Sequence, residues 1–384
     1  MSAVRPAGPA LSPRVALVRS RYDPAGGAER FVQNAIAALK GEGVSLTIVT
    51  RHWPDHDGSA IIVDPFHIGS WWRDAGFARA TCAELSRRRF DLVQSHERIA
   101  CCDVYRAGDG VHAEWLAQRA RVQSGFDAWR TRMNPHHRYL LAAERSLFTS
   151  PRLRAVICNS EMVRGEISSR FGTPREKLEL IRNCVDSTHF SPDLRSEARE
   201  PMRQQLSIPR DANVVLHVGS GFERKGVASL LRAMAKASTK PWAVIVGRDK
   251  SAGVYAQLAR DFGVDSRVRF VGSVSDVRPY HAVADSFVLA TLYDPFPNAA
   301  IEAMASGLPV VTTTKCGAAE MVTEEESGFI RDALDIDGIA AVLDRLDPAT
   351  ASRMGAKARE AVSALTPQSM AQQYLALYRR LLHR

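Results

Sequence analysis

Residues 214–227 read Val-Val-Leu-His-Val-Gly-Ser-Gly-Phe-Glu-Arg-Lys-Gly-Val, in which a β-branched apolar run passes directly into a glycine-rich turn. The run over Val214–Val218 predicts a buried strand, because β-branched side chains favour extended backbone within a sheet. An apolar pattern at helical spacing follows over Val227–Ala237. A strand, a tight turn and a helix in this order form the repeating unit of a parallel sheet. This stretch therefore predicts an α/β fold.

The same alternation of short strands and longer helical patterns extends over most of the chain. Further strands are predicted at Arg14–Val18, Val44–Thr50, Asp91–Ser95, Ala155–Asn159, Ala243–Val246, Val268–Val271, Phe287–Ala290, Pro309–Thr312 and Gly328–Ile330, with a helix at Ala28–Lys40 between the first two. Two such series predict two facing Rossmann-like domains with parallel sheets, at residues 14–190 and 191–367. The polar segment Ser191–Pro209 is interpreted as their linker. A C-terminal amphipathic helix, residues 368–384, is expected to return to the N-terminal domain.

The composition is that of an ordinary globular protein with an excess of positive charge. The 384 residues include 51 Lys and Arg against 42 Asp and Glu, which gives a net charge of +9, and only eight of the basic residues are lysines. Because arginine prefers planar anionic groups, the excess indicates nucleic acid, a nucleotide phosphate or an acidic membrane surface as partner. The sequence contains no apolar run of the roughly 18 residues that a transmembrane helix needs. Residues Met1–Pro13 do not resemble a secretory signal.

The cysteine and histidine spacings indicate neither a disulfide scaffold nor a metal site. The six cysteines contain no CxxC pair: Cys82, Cys101, Cys102, Cys158, Cys184 and Cys316. Cys101 and Cys102 could bind a metal or form a vicinal disulfide, but we interpret them as small buried apolar residues in a reducing, cytoplasmic protein. His52 and His56 have no third ligand at a supporting spacing, so no metal is expected.

Two glycine-containing turns are candidates for phosphate binding. Gly26 and Gly27 follow the first predicted strand and precede a helix, although a plain strand-to-helix turn explains them equally well. Arg224 and Lys225 follow the strand at Val214–Val218, at the carboxyl edge of a sheet where α/β proteins bind ligands. Two adjacent cations at that edge favour contact with a diphosphate over a solvated surface pair.

A third candidate begins at Asp294 and ends in the helix that follows it. Asp294 and Glu302 lie eight residues apart, across a proline-containing loop and the first helical turns. The small residues of Asn298–Ala300 allow phosphate or sugar oxygens to approach free backbone N–H groups. Glu302 lies about one turn inside the helix, where it can accept hydrogen bonds from sugar hydroxyls. A turn at Asp294 and a favourable early-helix charge at Glu302 are the purely structural alternatives.

Together these segments resemble the retaining GT-B glycosyltransferases of family 4, and more narrowly the lipopolysaccharide core glucosyltransferase I group. The resemblance runs from about Arg14 to the C-terminus. Its most specific matches are Val-Gly-Ser-Gly-Phe-Glu-Arg-Lys-Gly-Val at 218–227 and Val-Gly-Arg-Asp-Lys at 246–250. Cys-Asn-Ser-Glu at 158–161 and Asn-Cys-Val-Asp at 183–186 resemble the hinge-side motif, in which Cys184 stands where the family usually has glycine.

The resemblance implies a role for each candidate in binding the donor. The C-terminal domain would bind a nucleotide sugar and the N-terminal domain its acceptor. Arg224 and Lys225 would hold the donor diphosphate, which the Gly26-Gly27 loop approaches from the other domain. The helix start formed by Asn298, Ala299 and Ala300 would bind phosphate or sugar through its N–H groups.

The acidic residues would act at the ribose, the donor sugar and the reacting centre. The family motif of two glutamates separated by seven residues matches Asp294 and Glu302, with Asp294 one methylene shorter than the usual glutamate. Glu302 would hold the ribose and Asp294 the hydroxyls of the donor sugar. Asp109, in a glycine-flanked turn after a predicted strand at Asp103, matches a cleft acid near the anomeric carbon. A capping role in the turn is the alternative for Asp109.

An arginine-rich stretch, residues 119–154, carries aromatic residues such as Phe126 and Trp129 among its cations. It fits an amphipathic helix pair with a solvated face, or contact with anionic lipid or an acidic acceptor. It would also fit nucleic acid, but no nucleic-acid-binding motif accompanies it, so nucleic acid is not expected as a partner.

The predicted function is transfer of a hexose, glucose from UDP-glucose, to a phosphorylated lipopolysaccharide core acceptor with retention of configuration. The resemblance implies no cofactor and no obligatory metal, and a cytoplasmic protein associated peripherally with the anionic inner face of the membrane. Three alternatives stay open: a family 4 transferase of exopolysaccharide or other glycolipid synthesis, a GT-B-fold nucleotide-sugar epimerase, and a non-catalytic binding protein.

Overall fold

The computed structural model describes residues 13–21, 44–53 and 60–382, and within them two parallel sheets. The first sheet has the order β3-β2-β1-β4-β5-β6-β7. Its strands are β1 (Arg14–Val18), β2 (Ser45–Thr50), β3 (Ala60–Ile62), β4 (Leu92–Ser95), β5 (Val104–Arg106), β6 (Ala155–Cys158) and β7 (Leu178–Leu180). The helix predicted at Ala28–Lys40 lies outside the described residues.

The second sheet has the order β10-β9-β8-β11-β12-β13, and every strand pair in it is parallel. Its strands are β8 (Val214–Val218), β9 (Trp242–Val246), β10 (Val268–Gly272), β11 (Ser286–Val288), β12 (Val310–Thr313) and β13 (Gly328–Arg331). This is the strand order of a Rossmann fold, with its switch point between β8 and β11. The predicted fold class, α/β with two Rossmann-like parallel sheets, is confirmed.

Helices connect the strands of both sheets. In the first half they are α1 (Gly69–Ser86), α2 (His112–Ala120), α3 (Gly125–Met133), α4 (Pro135–Phe148) and α5 (Glu161–Phe171). In the second half they are α6 (Leu194–Gln205), α7 (Phe222–Lys225), α8 (Val227–Lys236), α9 (Ala252–Asp261), α10 (Arg278–Val283), α11 (Asn298–Ala305), α12 (Ile336–Arg345), α13 (Pro348–Val362) and α14 (Pro367–Leu382). Short 3₁₀ turns occur at Arg175–Lys177, Asp265–Arg267 and Gly317–Met321.

The strands are apolar on both faces because helices cover both sides of each sheet. In β8, Val214 and Leu216 belong to one hydrophobic cluster and Val215 to the other. The C-terminal helix α14 packs Tyr374 and Leu377 into the same cluster as the strands of the first sheet. The last helix of the chain therefore covers the sheet that contains the first strand.

The segment interpreted as a polar linker contains a well-packed helix, α6. In α6, Arg195, Arg199 and Arg203 stand four residues apart, so all three lie on one helix face. They converge on the buried Asp285 at 3.2, 2.6 and 2.9 Å, and Arg203 itself is 1% exposed. The arginine face of α6 is therefore buried through ion pairing rather than apolar contact, which is why its composition is polar.

The cysteine prediction is correct for Cys102 and wrong for Cys101. Cys102 is fully buried with a free thiol, as expected of a small apolar residue. Cys101 instead forms a disulfide with Cys82 of α1, across a Cα–Cα distance of 5.8 Å. The two residues are 19 apart and belong to no short motif, so their spacing gave no sign of the bond.

Candidate active site

The candidate site is a cleft between the carboxyl ends of the two sheets. A cavity of about 730 Å³ is lined by Asp109 from the loop after β5 and by Asn298 and Glu302 from α11. Arg106 at the end of β5 and Asn183 from the chain crossing between the sheets complete this part of the lining. The structure therefore brings three of the predicted site residues together around one cavity, at the edge where open α/β sheets bind ligands.

The glycine-rich turn after β8 leads into the short helix α7, which presents the two predicted phosphate ligands. Gly226 ends α7 with φ +73°, and a Cβ there would lie 1.7 Å from the carbonyl oxygen of Ala290. Only glycine fits so close an approach between the turn and the end of β11. Among the residues that the structure describes, the Arg224 guanidinium forms no ion pair, so it is available to an anionic ligand.

Lys225 and Asp294 form an ion pair at the switch point of the second sheet. The Nζ of Lys225 lies 2.5 Å from Oδ2 of Asp294. Asp294 is held by its backbone: its N–H donates to the carbonyl of Lys315, and its carbonyl accepts from the N–H of Gly317. A Cβ at Gly317 would lie 1.8 Å from the Pro295 carbonyl oxygen, so the two loops are in close contact. The carboxylate is thus fixed in direction and neutralised by a cation.

The start of α11 is tied to the first sheet through side-chain amides. Asn183 donates from Nδ2 to Oδ1 of Asn298 at 2.7 Å and to the carbonyl of Phe296 at 3.0 Å. Its Oδ1 accepts a hydrogen bond from Arg106 at 2.7 Å. Within the helix start, the Ala300 N–H donates to the Pro297 carbonyl, which occupies that donor in this structure. Ala299, next to it, is partly exposed.

Asp109 is an accessible carboxylate of the cleft. Its side chain is 78% exposed, and the nearest cation, Arg98, lies 3.9 Å away. Arg98 is held by the buried Glu144 at 3.0 Å, and Glu144 also accepts the N–H of His112 at 2.7 Å. The turn that carries Asp109 is therefore supported from behind while its carboxylate faces the cavity.

Some predictions fall outside what the structure describes. Gly26 and Gly27 lie within residues 22–43, and His56 lies within residues 54–59, neither of which is described.

Within the described ranges, no group of three or more His, Cys, Asp or Glu side chains is arranged to hold a metal ion. In those same ranges no helix combines the length and the apolar character that crossing a membrane requires.

Comparison with known proteins identifies the family. The model for Glycosyltransferase Family 4 matches residues 25–189, and the model for Glycosyl transferases group 1 matches residues 198–361. The crystal structure of WaaG, a glycosyltransferase involved in lipopolysaccharide biosynthesis, aligns with a TM-score of 0.79 over 93% of this chain and 98% of its own, at 23% identity. The chain belongs to the GT-B glycosyltransferases. The predicted family is thereby confirmed.

Individual relatives include enzymes of lipopolysaccharide synthesis. The lipopolysaccharide glucosyltransferase WaaG of Escherichia coli K12 is 25% identical over 82% of this chain and 84% of its own length. The lipopolysaccharide core biosynthesis glycosyltransferase LpsD of Rhizobium meliloti is 28% identical over 92% and 95%. The crystal structure of Anabaena HepE in complex with UDP-glucose aligns with a TM-score of 0.72 over 96% and 99%, at 19% identity.

The arginine-rich stretch of this glycosyltransferase is divided between internal and exposed positions. Arg119 and Arg121 form ion pairs with Glu223 and Asp332 at 3.0 and 2.9 Å, which join α2 to the second sheet's domain. Arg154 donates to the carbonyl of Leu381 in α14. The exposed remainder lies mainly on α3 and α4 and comprises Arg130, Arg132, Arg138 and Arg145, with Phe126, Trp129, Met133 and Leu141 among them.

Sequence reasoning missed the residues that join the two halves of the glycosyltransferase at the cleft. Arg106 and Asn183 link β5 to the start of α11, and Tyr293, Glu166 and Lys315 form a second link. Asn183 belongs to the Asn-Cys-Val-Asp segment that matches the family motif, so the sequence offered a reason to expect it near the site. The other four interact with partners more than 70 residues away, and no local spacing marks them.

Proposed function

We propose that this glycosyltransferase moves glucose from UDP-glucose to a lipopolysaccharide core acceptor with retention of configuration. The observation that carries the proposal is the cleft itself, in which Asp109 of one domain faces Asn298 and Glu302 of the other around one cavity. Its similarity to WaaG, a lipopolysaccharide glucosyltransferase, and to HepE, crystallised with UDP-glucose, supports this donor and acceptor class.

Cations and the start of α11 bind the donor nucleotide in this proposal. Arg224, which has no ion-pair partner among the described residues, and Lys225 take the diphosphate, because guanidinium and ammonium groups neutralise phosphate oxygens. The backbone of Asn298 and Ala299 adds N–H donors at a helix N-terminus. Glu302 accepts hydrogen bonds from the ribose hydroxyls.

In this proposal the two aspartates act on the donor sugar and at the reacting centre. Asp294 orients the hydroxyls of the glucose, and Asp109, which is accessible in the cleft, stabilises charge that develops at the anomeric carbon. Closure of the domains brings Gly26 and Gly27 onto the diphosphate and excludes water. In this proposal Arg224 and Lys225 stabilise the leaving diphosphate, and the reaction uses no metal and no cofactor.

The acceptor side includes a membrane-facing surface on α3 and α4. Phe126 and Trp129 are 67% and 57% exposed, and Arg130 and Arg138, which form no ion pair with any described residue, are exposed on the same two helices. Exposed aromatics beside cations fit the headgroup region of an anionic bilayer, where each nearby cation contributes about 1 kcal/mol. The proposed enzyme therefore works at the cytoplasmic face of the inner membrane, where a phosphorylated glycolipid acceptor is presented.

Radiolabelled transfer to truncated lipopolysaccharide core tests the catalytic proposal. Arg224→Ala and Glu302→Ala should each lower kcat/KM by about 10- to 100-fold, as expected for loss of a hydrogen bond to a charged group. Arg260→Ala is the matched control, because Arg260 lies exposed on α9 and, within the described part of the chain, its side chain hydrogen-bonds only to Gln257. Unchanged transfer in both site variants would contradict the donor assignment. An inverted product would contradict retention, and sugar interconversion without acceptor would indicate the epimerase.

Sedimentation with vesicles tests the membrane proposal separately. The enzyme should bind vesicles that contain phosphatidylglycerol and leave pure phosphatidylcholine vesicles unbound. Phe126→Ser combined with Trp129→Ser should reduce binding by at least about tenfold, since both rings leave the bilayer interface. Equal binding of the two vesicle types, or full binding of the double variant, would contradict this surface.

A further inference from the structure

One buried hydroxyl joins the two loops that carry the proposed catalytic aspartates. The Oη of Tyr293 accepts a hydrogen bond from the N–H of Val111 at 2.9 Å. The same hydroxyl donates to Oε2 of Glu166 at 2.7 Å. Tyr293 follows β11 of the second sheet, whereas Val111 and Glu166 belong to the first domain. A single side chain of the donor domain therefore bonds twice to the acceptor domain.

Glu166 is held so that it accepts from this hydroxyl. Lys315 donates to its other oxygen at 2.9 Å and also lies 3.4 Å from Glu114, which in turn pairs with Arg170. Burial raises the pKa of Tyr293, so the phenol keeps its proton at neutral pH, and its oxygen already accepts the Val111 N–H. The direction of the hydrogen bond is therefore set, with the phenol as donor and Glu166 as acceptor.

The turn that carries Asp109 is shaped to fit this hydroxyl. Gly110 has φ +69°, and a Cβ there would lie 2.3 Å from the Oη of Tyr293 and 2.8 Å from Pro295. The turn therefore packs directly against the Tyr293-Asp294-Pro295 segment, and glycine is needed for the contact. Asp109 is one residue before Gly110, and Asp294 is one residue after Tyr293.

We propose that Tyr293 is a positioning residue, whose hydroxyl places the Asp109 turn against the Asp294 loop when the two domains close. The inference rests on the proposed function, in which both aspartates act on the donor sugar. Loss of the hydroxyl leaves the buried Val111 N–H and Glu166 oxygen without this partner, which favours separation of the loops. The phenol does not touch substrate, so its effect reaches the reaction through Asp109.

Tyr293→Phe keeps the ring and removes only the hydroxyl. We expect kcat for glucose transfer to fall about tenfold, while the Kd for UDP changes by less than about twofold, because most of the proposed UDP contacts belong to the donor domain. Tyr378→Phe is the matched control, since Tyr378 of α14 is also buried and donates to Gln94 at 2.5 Å. Its kcat should be unchanged. Equal kcat in Tyr293→Phe and wild type, or a parallel loss of UDP affinity, would overturn the inference.

A double-mutant cycle separates this inference from the proposed role of Asp109. In an Asp109→Asn background, Tyr293→Phe should have little further effect, because the two residues act as one unit. Fully additive losses would show that Tyr293 does not act through Asp109. If Asp109→Asn alone transfers at the wild-type rate, the assigned role of Asp109 fails and with it the route proposed for Tyr293, whereas the rest of the donor site stands.

Hydrogen exchange tests the link without any substrate. Exchange of the Val111 amide should be at least about tenfold faster in Tyr293→Phe than in wild type, and unchanged in Tyr378→Phe. A second pair of variants keeps the tyrosine: Glu166→Gln retains an acceptor and should keep most of the kcat, whereas Glu166→Leu should lose it as Tyr293→Phe does. Equal activity of these two variants, or unchanged Val111 exchange, would overturn the inference.

Discussion

Mutation of the ion pair between Lys225 and Asp294 tests the proposed site directly, because its two members have different proposed ligand groups. Lys225 would bind the diphosphate, and Asp294 would bind the sugar hydroxyls. The side chains are only 12% and 7% exposed, and 2.5 Å separates their charged atoms. Asp294→Asn removes the negative charge and leaves a mostly buried ammonium. A hydrogen bond between charged groups is worth about 1.5–3 kcal/mol, so the free energy of unfolding should fall by about that amount. The fold should persist, since the backbone bonds of Asp294 to Lys315 and Gly317 remain.

The same substitution should affect the nucleotide and the sugar in opposite ways. Without the carboxylate, Lys225 no longer divides its attraction between Asp294 and the diphosphate, so UDP should bind as tightly as to wild type or up to about tenfold more tightly. UDP-glucose turnover should nevertheless fall about 10- to 100-fold in kcat/KM, because the sugar loses the acceptor that orients it. The signature of the proposed role is therefore intact UDP affinity combined with poor transfer.

Calorimetric titration with UDP and initial rates with UDP-glucose measure the two quantities. Lys225→Met is the reference variant and should weaken UDP binding about 10- to 100-fold, since it removes a cation from the diphosphate. Asp294→Asn would refute the reasoning if it weakened UDP binding as much as Lys225→Met does. That result would mean that Asp294 serves only to hold Lys225 in place and has no contact with the sugar.

Three further predictions concern stability. Asp285→Ala leaves the buried Arg203 without its carboxylate and should lower the free energy of unfolding by about 3–5 kcal/mol in urea titration; a loss below about 1 kcal/mol would contradict the packing of α6. Burial lowers the pKa of His217 to about 4, so the unfolded chain takes up the proton first and stability should be lost as the pH falls from about 6.5 towards 4, by roughly 3 kcal/mol. His217→Asn should flatten this part of the curve of melting temperature against pH, and an unaltered slope would contradict the assignment. Reduction of the Cys82–Cys101 bond should lower the free energy of unfolding by about 3 kcal/mol, because the closed loop of 19 residues then gains chain entropy in the unfolded state. Cys82→Ser is the control, and its stability should not change when dithiothreitol is added.

The central strands of the fold were predictable because burial on both faces leaves a strong local signal. The strand at Val214–Val218 spans the predicted residues, and its neighbours differ from prediction by one or two residues. The edge strands Ala60–Ile62 and Leu178–Leu180 were missed, since each has three residues and one partner strand. An edge strand needs no continuous apolar run, so it is hard to distinguish from a loop.

The residues of the candidate site also include some that the sequence predicts and some that it does not. Asp294 and Glu302 could be found from sequence because helical spacing and family motifs act over a few residues. Tyr293 is an ordinary aromatic residue in the sequence, and its partner Glu166 is 127 residues away. Its role depends on how two separately folded sheets face each other, which no local pattern encodes. The packing of the α6 arginines could not be predicted for a related reason, because their common partner, Asp285, lies about 80 residues downstream.

The contacts that join the domains differ in kind, and this difference determines which of them can control closure. Arg119–Glu223 and Arg121–Asp332 are partly exposed pairs, each contributing at most about 1 kcal/mol and screened by salt. The Tyr293–Glu166 bond is buried, and the donor or acceptor left behind by its loss remains away from water. The buried link joins Tyr293, the residue before Asp294, to Val111, two residues after Asp109, whereas neither ion pair involves a neighbour of either of these aspartates. In the proposed mechanism, closure specified at Tyr293 therefore positions the reacting groups themselves.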